Sequence, residues 1–500
     1  MKNQTEMMLA AASQLRLAGR LDEAIAAYSR LLAVEPALPD CWYNLGMTLR
    51  ARGRFQEALD AYGEALARGV VAPEEVRLNR AVLLADHLRR ETEAEFELRQ
   101  ALESNPGYAP AWLNLGDLLE GRGDREEAAA CYSEILANAS GAGAELDDFA
   151  GEALSRLGHL RPPKSLDDPL LGRIAAAASS AGVSLAVRAN LYFALGRALD
   201  ALGGYDRAFA AFTAANRCVR MEGPPYNRSA IGRAVDQLVD ACPAAARRAV
   251  RPTPAPRPVF VCGMYRSGST LAEQALAAHP QVTPGGELNL LNKMAEIDLA
   301  PYPQSIRTLS DERAAELGDA YRRELIRLFP DSANEGSIVT DKRPDNFLRI
   351  GLIKRLFPGA KIVHTVRDPV DTCLSVFFEH LDQRVVGYAS DLGDCGRYYG
   401  QYRRMMSHWK SLYAGDILDF DYDRFVADPR PELERLLSFL GLDWDERCLS
   451  FHELRNPVKT ASYWQVRRPL YKNSSGRRQH YLAHLEPLLS ALREAGVEIA

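Results

Sequence analysis

Two patterns of apolar and polar positions divide the chain. Through the first 140 or so residues, small and aromatic positions recur at helical spacing with a period near 35. Trp42-Tyr-Asn-Leu-Gly46 returns as Trp112-Leu-Asn-Leu-Gly116, and Val76-Arg-Leu-Asn-Arg-Ala81 falls between them. Asn44, Asn79 and Asn114 are each 35 apart. Small residues follow where helices must approach, first Gly53, Ala58 and Ala61, then Gly123, Ala128 and Ala129; Pro36 and Pro106 close repeats. An N-terminal copy, roughly Thr5–Glu35, keeps Gly19, Leu21, Ala24 and Tyr28 but has Ala10 at the asparagine position. A further unit at Leu191–Arg220 carries Gly196, Gly203, Tyr205, Ala208 and Phe212 at the spacing of Gly46, Gly53, Phe55, Ala58 and Tyr62. Between Gly141 and Val187 the pattern is broken yet still mostly helical. These positions predict a helical solenoid over residues 1–242, in which each unit buries its face only on its neighbours.

Residues 243–257, with Arg247, Arg248, Arg251 and the run Pro252-Thr-Pro-Ala-Pro256, cannot continue a helix and read as a linker. Beyond it the pattern changes to short apolar runs ending in polar turns. Pro258-Val-Phe-Val-Cys262 reads as a buried strand, and Leu271–Ala278 has helical spacing. Ser337-Ile-Val-Thr-Asp341 and Ala360–Val366 read as further strands, the second followed by a helix over Val370–His380. Residues 258–500 are therefore expected to form a parallel α/β sheet with functional loops at the carboxyl ends of its strands.

The turn between the first strand and its helix carries the chemistry. Strand, glycine loop and helix together aim backbone N–H groups and a helix N-terminus at an anion. Gly263-x4-Gly268-Ser269-Thr270 nearly satisfies the nucleotide-triphosphatase loop, but Ser269 stands at its lysine position. Without that lysine a γ-phosphate lacks its charge partner, which argues against an ATP-hydrolysing or kinase reading. Arg266 supplies the positive charge instead.

The segment Cys262-Gly-Met-Tyr-Arg-Ser-Gly-Ser-Thr-Leu271 resembles the phosphosulfate-binding loop of sulfotransferases, and the repeats resemble tetratricopeptide repeats of about 34 residues. The chain as a whole resembles a tetratricopeptide-fused sulfotransferase similar to the tyrosylprotein enzymes. The resemblance spans about Pro258 to Leu489 and departs from the family at Tyr265, where proline is more usual. It implies an α + α/β architecture: a tetratricopeptide solenoid followed by a P-loop-like parallel α/β sulfotransferase domain. It implies 3'-phosphoadenosine-5'-phosphosulfate (PAPS) as co-substrate, adenosine 3',5'-bisphosphate as product, and no metal.

Roles follow residue by residue. Tyr265, Arg266, Ser267, Gly268, Ser269 and Thr270 would cradle the 5'-phosphosulfate. Glu287, 21 residues after Arg266, matches the family's general base, which takes the acceptor's proton. Lys342, in Thr340-Asp-Lys-Arg-Pro344, matches the lysine that meets the leaving phosphate. Arg367 and Ser375, eight apart, match the 3'-phosphate site, where arginine's planar fork suits phosphate. Tyr422 is expected against adenine. Ser462 matches a serine beside the transferring group. Arg477, with Lys472 and Arg478, would form a basic flap over the nucleotide. Asn44, Asn79 and Asn114 would form a ladder holding an extended peptide backbone, since an amide both donates and accepts.

Composition narrows the partners. A length of 500 residues suggests two or three domains. A net charge of −5 does not recruit nucleic acid, and no apolar stretch approaches the roughly 20 residues of a membrane span. The N-terminus lacks a signal peptide's apolar core, and the eight cysteines are scattered without a C-x-x-C pair, which points to a cytoplasmic protein. The expected acceptor is a tyrosine of a peptide or protein; a glycan or small phenol, and a scaffold with an inactive transferase domain, stay open. So does a homodimer through the repeats.

Overall fold

The computed structural model describes residues 2–139, 146–242, 254–334, 336–454, 466, 470 and 475–499. Residues 243–253 of the linker therefore fall outside the described residues, as do Ser462 and Lys472.

The repeat pattern produces the helices it predicts. They run Lys2–Leu17, Leu21–Val34, Pro39–Ala51, Phe55–Ala67, Pro73–Val82, Glu91–Ser104, Ala109–Arg122, Arg125–Ala139 and Asp148–Leu160. The small positions are set by close approach. A Cβ on Gly46 would stand 2.6 Å from the Tyr62 ring, and one on Gly116 2.5 Å from that of Tyr132. Both rings are fully buried, so neither glycine can grow without displacing the centre of its repeat.

By its contacts the chain divides into two units, Met1–Glu120 with Asp124–Arg161, and Pro162–Ala500 with Gly121–Gly123. The repeat spacing placed the first boundary at 242. Helices Pro169–Ala178, Leu185–Ala201, Tyr205–Glu222 and Arg228–Ala241 instead share a core with the sheet, Phe193, Phe212 and Val235 lying in the same apolar cluster as Phe260 and Ile362. The cause is long-range packing. Phe212 stacks on Phe378 with centroids 3.9 Å apart, and Asn216 Nδ2 donates to the carbonyl of Phe377, 161 residues on, at 2.8 Å.

The sheet has five strands: β1 Arg257–Gly263, β2 Val282–Thr283, β3 Ile338–Lys342, β4 Ile362–Val366 and β5 Ile417–Asp421. Their order is β2-β3-β1-β4-β5, and every pair is parallel. β1 is central, pairing Val261 with Lys342 on one side and with Val363 on the other. A central parallel strand is covered on both faces, which is why Pro258–Gly263 is buried throughout. Its side chains alternate: Phe260 and Cys262 join the core with Tyr321, Phe357 and Trp409, while Val259 and Val261 join Ile338, Phe420 and Leu436 on the other face. β1, β3 and β4 consequently end side by side, and the loops after them converge.

Candidate active site

The loop after β1 turns on two left-handed residues. Gly268, at φ +101°, caps the helix Ser269–Ala277, and Arg266, at φ +67°, holds a conformation rare for a residue with a side chain. Ser267 pins this shape. It is buried, and its hydroxyl lies 2.6 Å from the carbonyl of Met264 and 2.7 Å from Thr365 Oγ1 on β4. The Ser267 side chain thus shapes the loop from beneath. Ser269 and Thr270, the first two helical residues, are also buried.

Two arginines meet at the loop. Arg266 Nε donates to Ser375 Oγ at 3.2 Å, and its Nη2 lies 3.8 Å from Glu379. Arg367, just past β4, donates from Nη1 to the carbonyl of Arg266 at 3.2 Å, its guanidinium 4.8 Å from the Tyr422 ring centre. Tyr422 in turn lies against Gly268, where a Cβ would stand 2.6 Å from its ring. Arg266, Gly268, Arg367, Ser375 and Tyr422 form one cluster. Within it Ser375 is engaged by Arg266, whereas the sequence paired it with Arg367.

A second pair stands at the end of β3. Lys342 is fully buried, and its Nζ donates to Glu287 Oε1 at 2.8 Å. Glu287 keeps about a third of its side-chain surface exposed, at 35%. Tyr265 sits in the same neighbourhood: burial raises its phenol well above the usual range, with Asp345 and Glu287 adding to the shift. Burial also pushes the Glu273 carboxyl up, against the lowering pull of Lys342.

Arg477 and Arg478 are both paired with carboxylates. Arg477 Nη2 forms an ion pair with Asp200 Oδ2 at 2.6 Å, and its guanidinium lies over Phe378 at 4.9 Å. Arg478 pairs with Asp368 at 3.0 Å. The structure thus ties Arg477 to a helix before the sheet, a contact 277 residues distant in sequence. The three repeat asparagines are each bonded within their own helices. The amide nitrogens of Asn44, Asn79 and Asn114 donate to the carbonyls of Asp40, Glu75 and Pro110 in their own helices, and Arg50 donates to Asn79 Oδ1.

Sequence reasoning missed Glu273, Thr340, Thr365 and Glu379. Glu273 left one signal, the single charge in a helical run that must be buried on the sheet. Among the described residues, no group of His, Cys, Asp and Glu is placed to hold a metal ion, and no helix is long and apolar enough to cross a membrane.

Residues 258–446 match the sulfotransferase family, and residues 12–49, 39–68 and 89–147 match tetratricopeptide repeats. The chain joins tetratricopeptide repeats to a sulfotransferase-family domain. It is 30% identical over 422 residues to an uncharacterised protein of Aquifex aeolicus (strain VF5), covering 80% of this chain and 52% of that protein. It is 26% identical over 219 residues to protein-tyrosine sulfotransferase 1 of Danio rerio, covering 42% of this chain and 60% of that one. The sulfotransferase domain from the curacin biosynthetic pathway aligns over 50% of this chain and all of its own, with a TM-score of 0.37 at 15% identity. The chain spans only about half to three fifths of the two sequence relatives' lengths.

Proposed function

We propose that the protein is a PAPS-dependent sulfotransferase that sulfates a hydroxyl, most favourably a tyrosine of a peptide or protein. The observation that carries this reading is the Lys342–Glu287 pair at 2.8 Å, a buried ammonium joined to a part-exposed carboxylate at the end of the strand beside the glycine loop. The family supplies the reaction class; the pair supplies a base and a cation for it.

The loop residues Tyr265–Thr270 hold the phosphosulfate, with backbone N–H groups and the helix N-terminus toward its oxygens. Arg367 and Ser375 take the 3'-phosphate, and Tyr422 walls the nucleotide side. The acceptor oxygen attacks sulfur in line, and its proton passes to Glu287. The bond from sulfur to the bridging phosphate oxygen breaks, and its electron pair leaves with adenosine 3',5'-bisphosphate. Lys342 and Arg266 stabilise that oxygen as its charge grows. An ammonium has three donors, so Lys342 can keep Glu287 while meeting the phosphate. The chemistry resembles that named for the tyrosine sulfotransferases, which supports a phenolic acceptor. Tetratricopeptide repeats favour a protein or peptide carrier for it.

Labelled PAPS offered with tyrosine peptides, glycans and small phenols tests the proposal. Transfer to at least one hydroxyl is expected, and the bisphosphate should raise the melting temperature where ATP with magnesium does much less. A folded protein that transfers to none of the three classes refutes the enzymatic reading and leaves a scaffold.

A further inference from the structure

Glu287 follows two glycines, and a Gly-Gly turn is the loosest backbone the chain can offer. Something must fix it if the carboxylate is to meet an acceptor proton within hydrogen-bond reach. The structure shows how it is sewn down. Gly285 N–H donates to Thr340 Oγ1 at 3.0 Å, and Gly286 N–H donates to Glu273 Oε1 at 3.0 Å. The Thr340 hydroxyl donates to that same Glu273 oxygen at 2.7 Å. The carbonyl of Gly286 accepts from Lys342 N–H at 2.9 Å. The fit leaves no slack, since a Cβ on Gly285 would stand 2.0 Å from the Thr340 carbonyl oxygen.

Glu273 is the centre of this arrangement. It is 3% exposed and lies on the helix that begins at the glycine loop. One of its oxygens reaches both β3 and the turn. We infer that Glu273 is a positioning residue that fixes Glu287 relative to the donor loop, through the Thr340 hydroxyl and the Gly286 amide. It joins three elements the reaction must keep in register: the helix carrying the donor loop, the strand carrying Lys342 and the turn carrying the base. A buried carboxylate is costly to keep. Two converging donors and the nearby Lys342 offset that cost here. The inference rests on the reading of Glu287 as general base, and the experiment separates the two.

Turnover, donor KM and bisphosphate affinity are measured for Glu273→Ala, Glu273→Gln and Thr340→Val, each alone and combined with Glu287→Gln. Glu273→Ala should lower kcat about tenfold or more, the scale of a misplaced reacting group, with donor KM and bisphosphate affinity within about twofold. Thr340→Val should fall in the same way. Glu273→Gln should recover most of the rate, because an amide oxygen can accept both bonds. In the Glu287→Gln background, Glu273→Ala should cost no more than about twofold further, since it acts through a group already lost. Equal losses in both backgrounds, or bisphosphate affinity falling in step with kcat, would show a merely structural role and overturn the inference. So would near-normal kcat for Glu273→Ala. Should Glu273→Ala fail to fold, Thr340→Val decides by the same criteria. Near-normal turnover of Glu287→Gln alone would remove the base itself, and the inference with it.

Discussion

Asp341 precedes Lys342 on β3 and faces the opposite side of the sheet. It is 1% exposed. Tyr321 donates its hydroxyl to Oδ2 at 2.7 Å, and Asn346 donates to Oδ1 at 3.1 Å. Burial pushes its carboxyl up to about 7, and those two hydrogen bonds pull it back only in part. In the unfolded chain the same group titrates near 3.9. Between these values the folded protein holds a proton that the unfolded chain has released. Stability from this group is therefore fully present below about pH 4, falls as pH rises, and reaches a constant penalty above about pH 7. A difference of about 3 units sets a ceiling near 4 kcal/mol on that penalty. Asp341→Asn removes the ionisation while keeping the shape. Its carbonyl can accept from Asn346, and its amide can donate to the Tyr321 oxygen. Calorimetry of the transition containing the sheet should show the variant more stable than the parent at pH 8. The gain should be smaller at pH 5, where the folded parent still holds nearly all of that proton. At about 1–2 °C per kcal/mol for a unit of this size, a gain of even half the ceiling is readily measured. Turnover at pH 8 should stay within about twofold, because Asp341 lies across the strand from Lys342 and Thr340. An equal gain at both pH values, or a loss at pH 8, would refute the claim that a buried ionisation is being relieved.

Other perturbations address the chemistry. Glu287→Gln should preserve bisphosphate binding and lower turnover roughly a hundredfold or more, read by transfer of labelled sulfate. Arg367→Ala should weaken PAPS by about 1.5–3 kcal/mol, and adenosine 5'-phosphosulfate far less; equal losses in calorimetric titrations would show that Arg367 does not read the 3'-phosphate. Replacing Asn44, Asn79 and Asn114 together with alanine should raise a peptide acceptor's KM by less than about threefold, because their amide nitrogens already serve their own helices. A tenfold rise, with the rate on a small phenol unchanged, would restore the ladder to acceptor binding.

What the sequence disclosed was local. Gly263, Gly268 and the apolar run before them announce strand, loop and helix between Arg257 and Ala277, and the structure has β1 and its helix there. The same holds for β4 and the helix Pro369–Phe377. Trp42–Gly46 and its later copy disclosed the helix pairs, because a ring and a glycine at fixed spacing are enough to build one. Contacts made across long stretches of chain were hidden. Nothing near Arg477 says that Asp200 will bind it, and nothing near Phe212 says that Phe378 will cover it. β2, only Val282–Thr283, is too short for a period and was hidden inside a turn. Glu273 shows a third kind of concealment. Its charge was visible as the one ionisable group of its helix, yet what it holds depends on where Gly286 and Thr340 arrive.

The cations of the candidate site share a further property that bears on the proposed mechanism. Arg266 is held by Ser375 and Glu379, Arg367 by the carbonyl of Arg266, and Lys342 by Glu287. Each is oriented by a protein group before any phosphate is considered. A cation that must be ordered by its ligand costs affinity at binding and organisation energy in the transition state. Here the ordering is done by folding. Glu379 extends the same logic outward, since its other oxygen accepts from Arg197 Nη1 at 3.1 Å on the helix Leu185–Ala201. The sequence pattern makes that helix part of a further unit, Leu191–Arg220, of the helical solenoid. Through Arg197 and Glu379 it reaches Arg266 in the loop after β1, so helices of the repeat pattern complete the frame of the proposed transferase site.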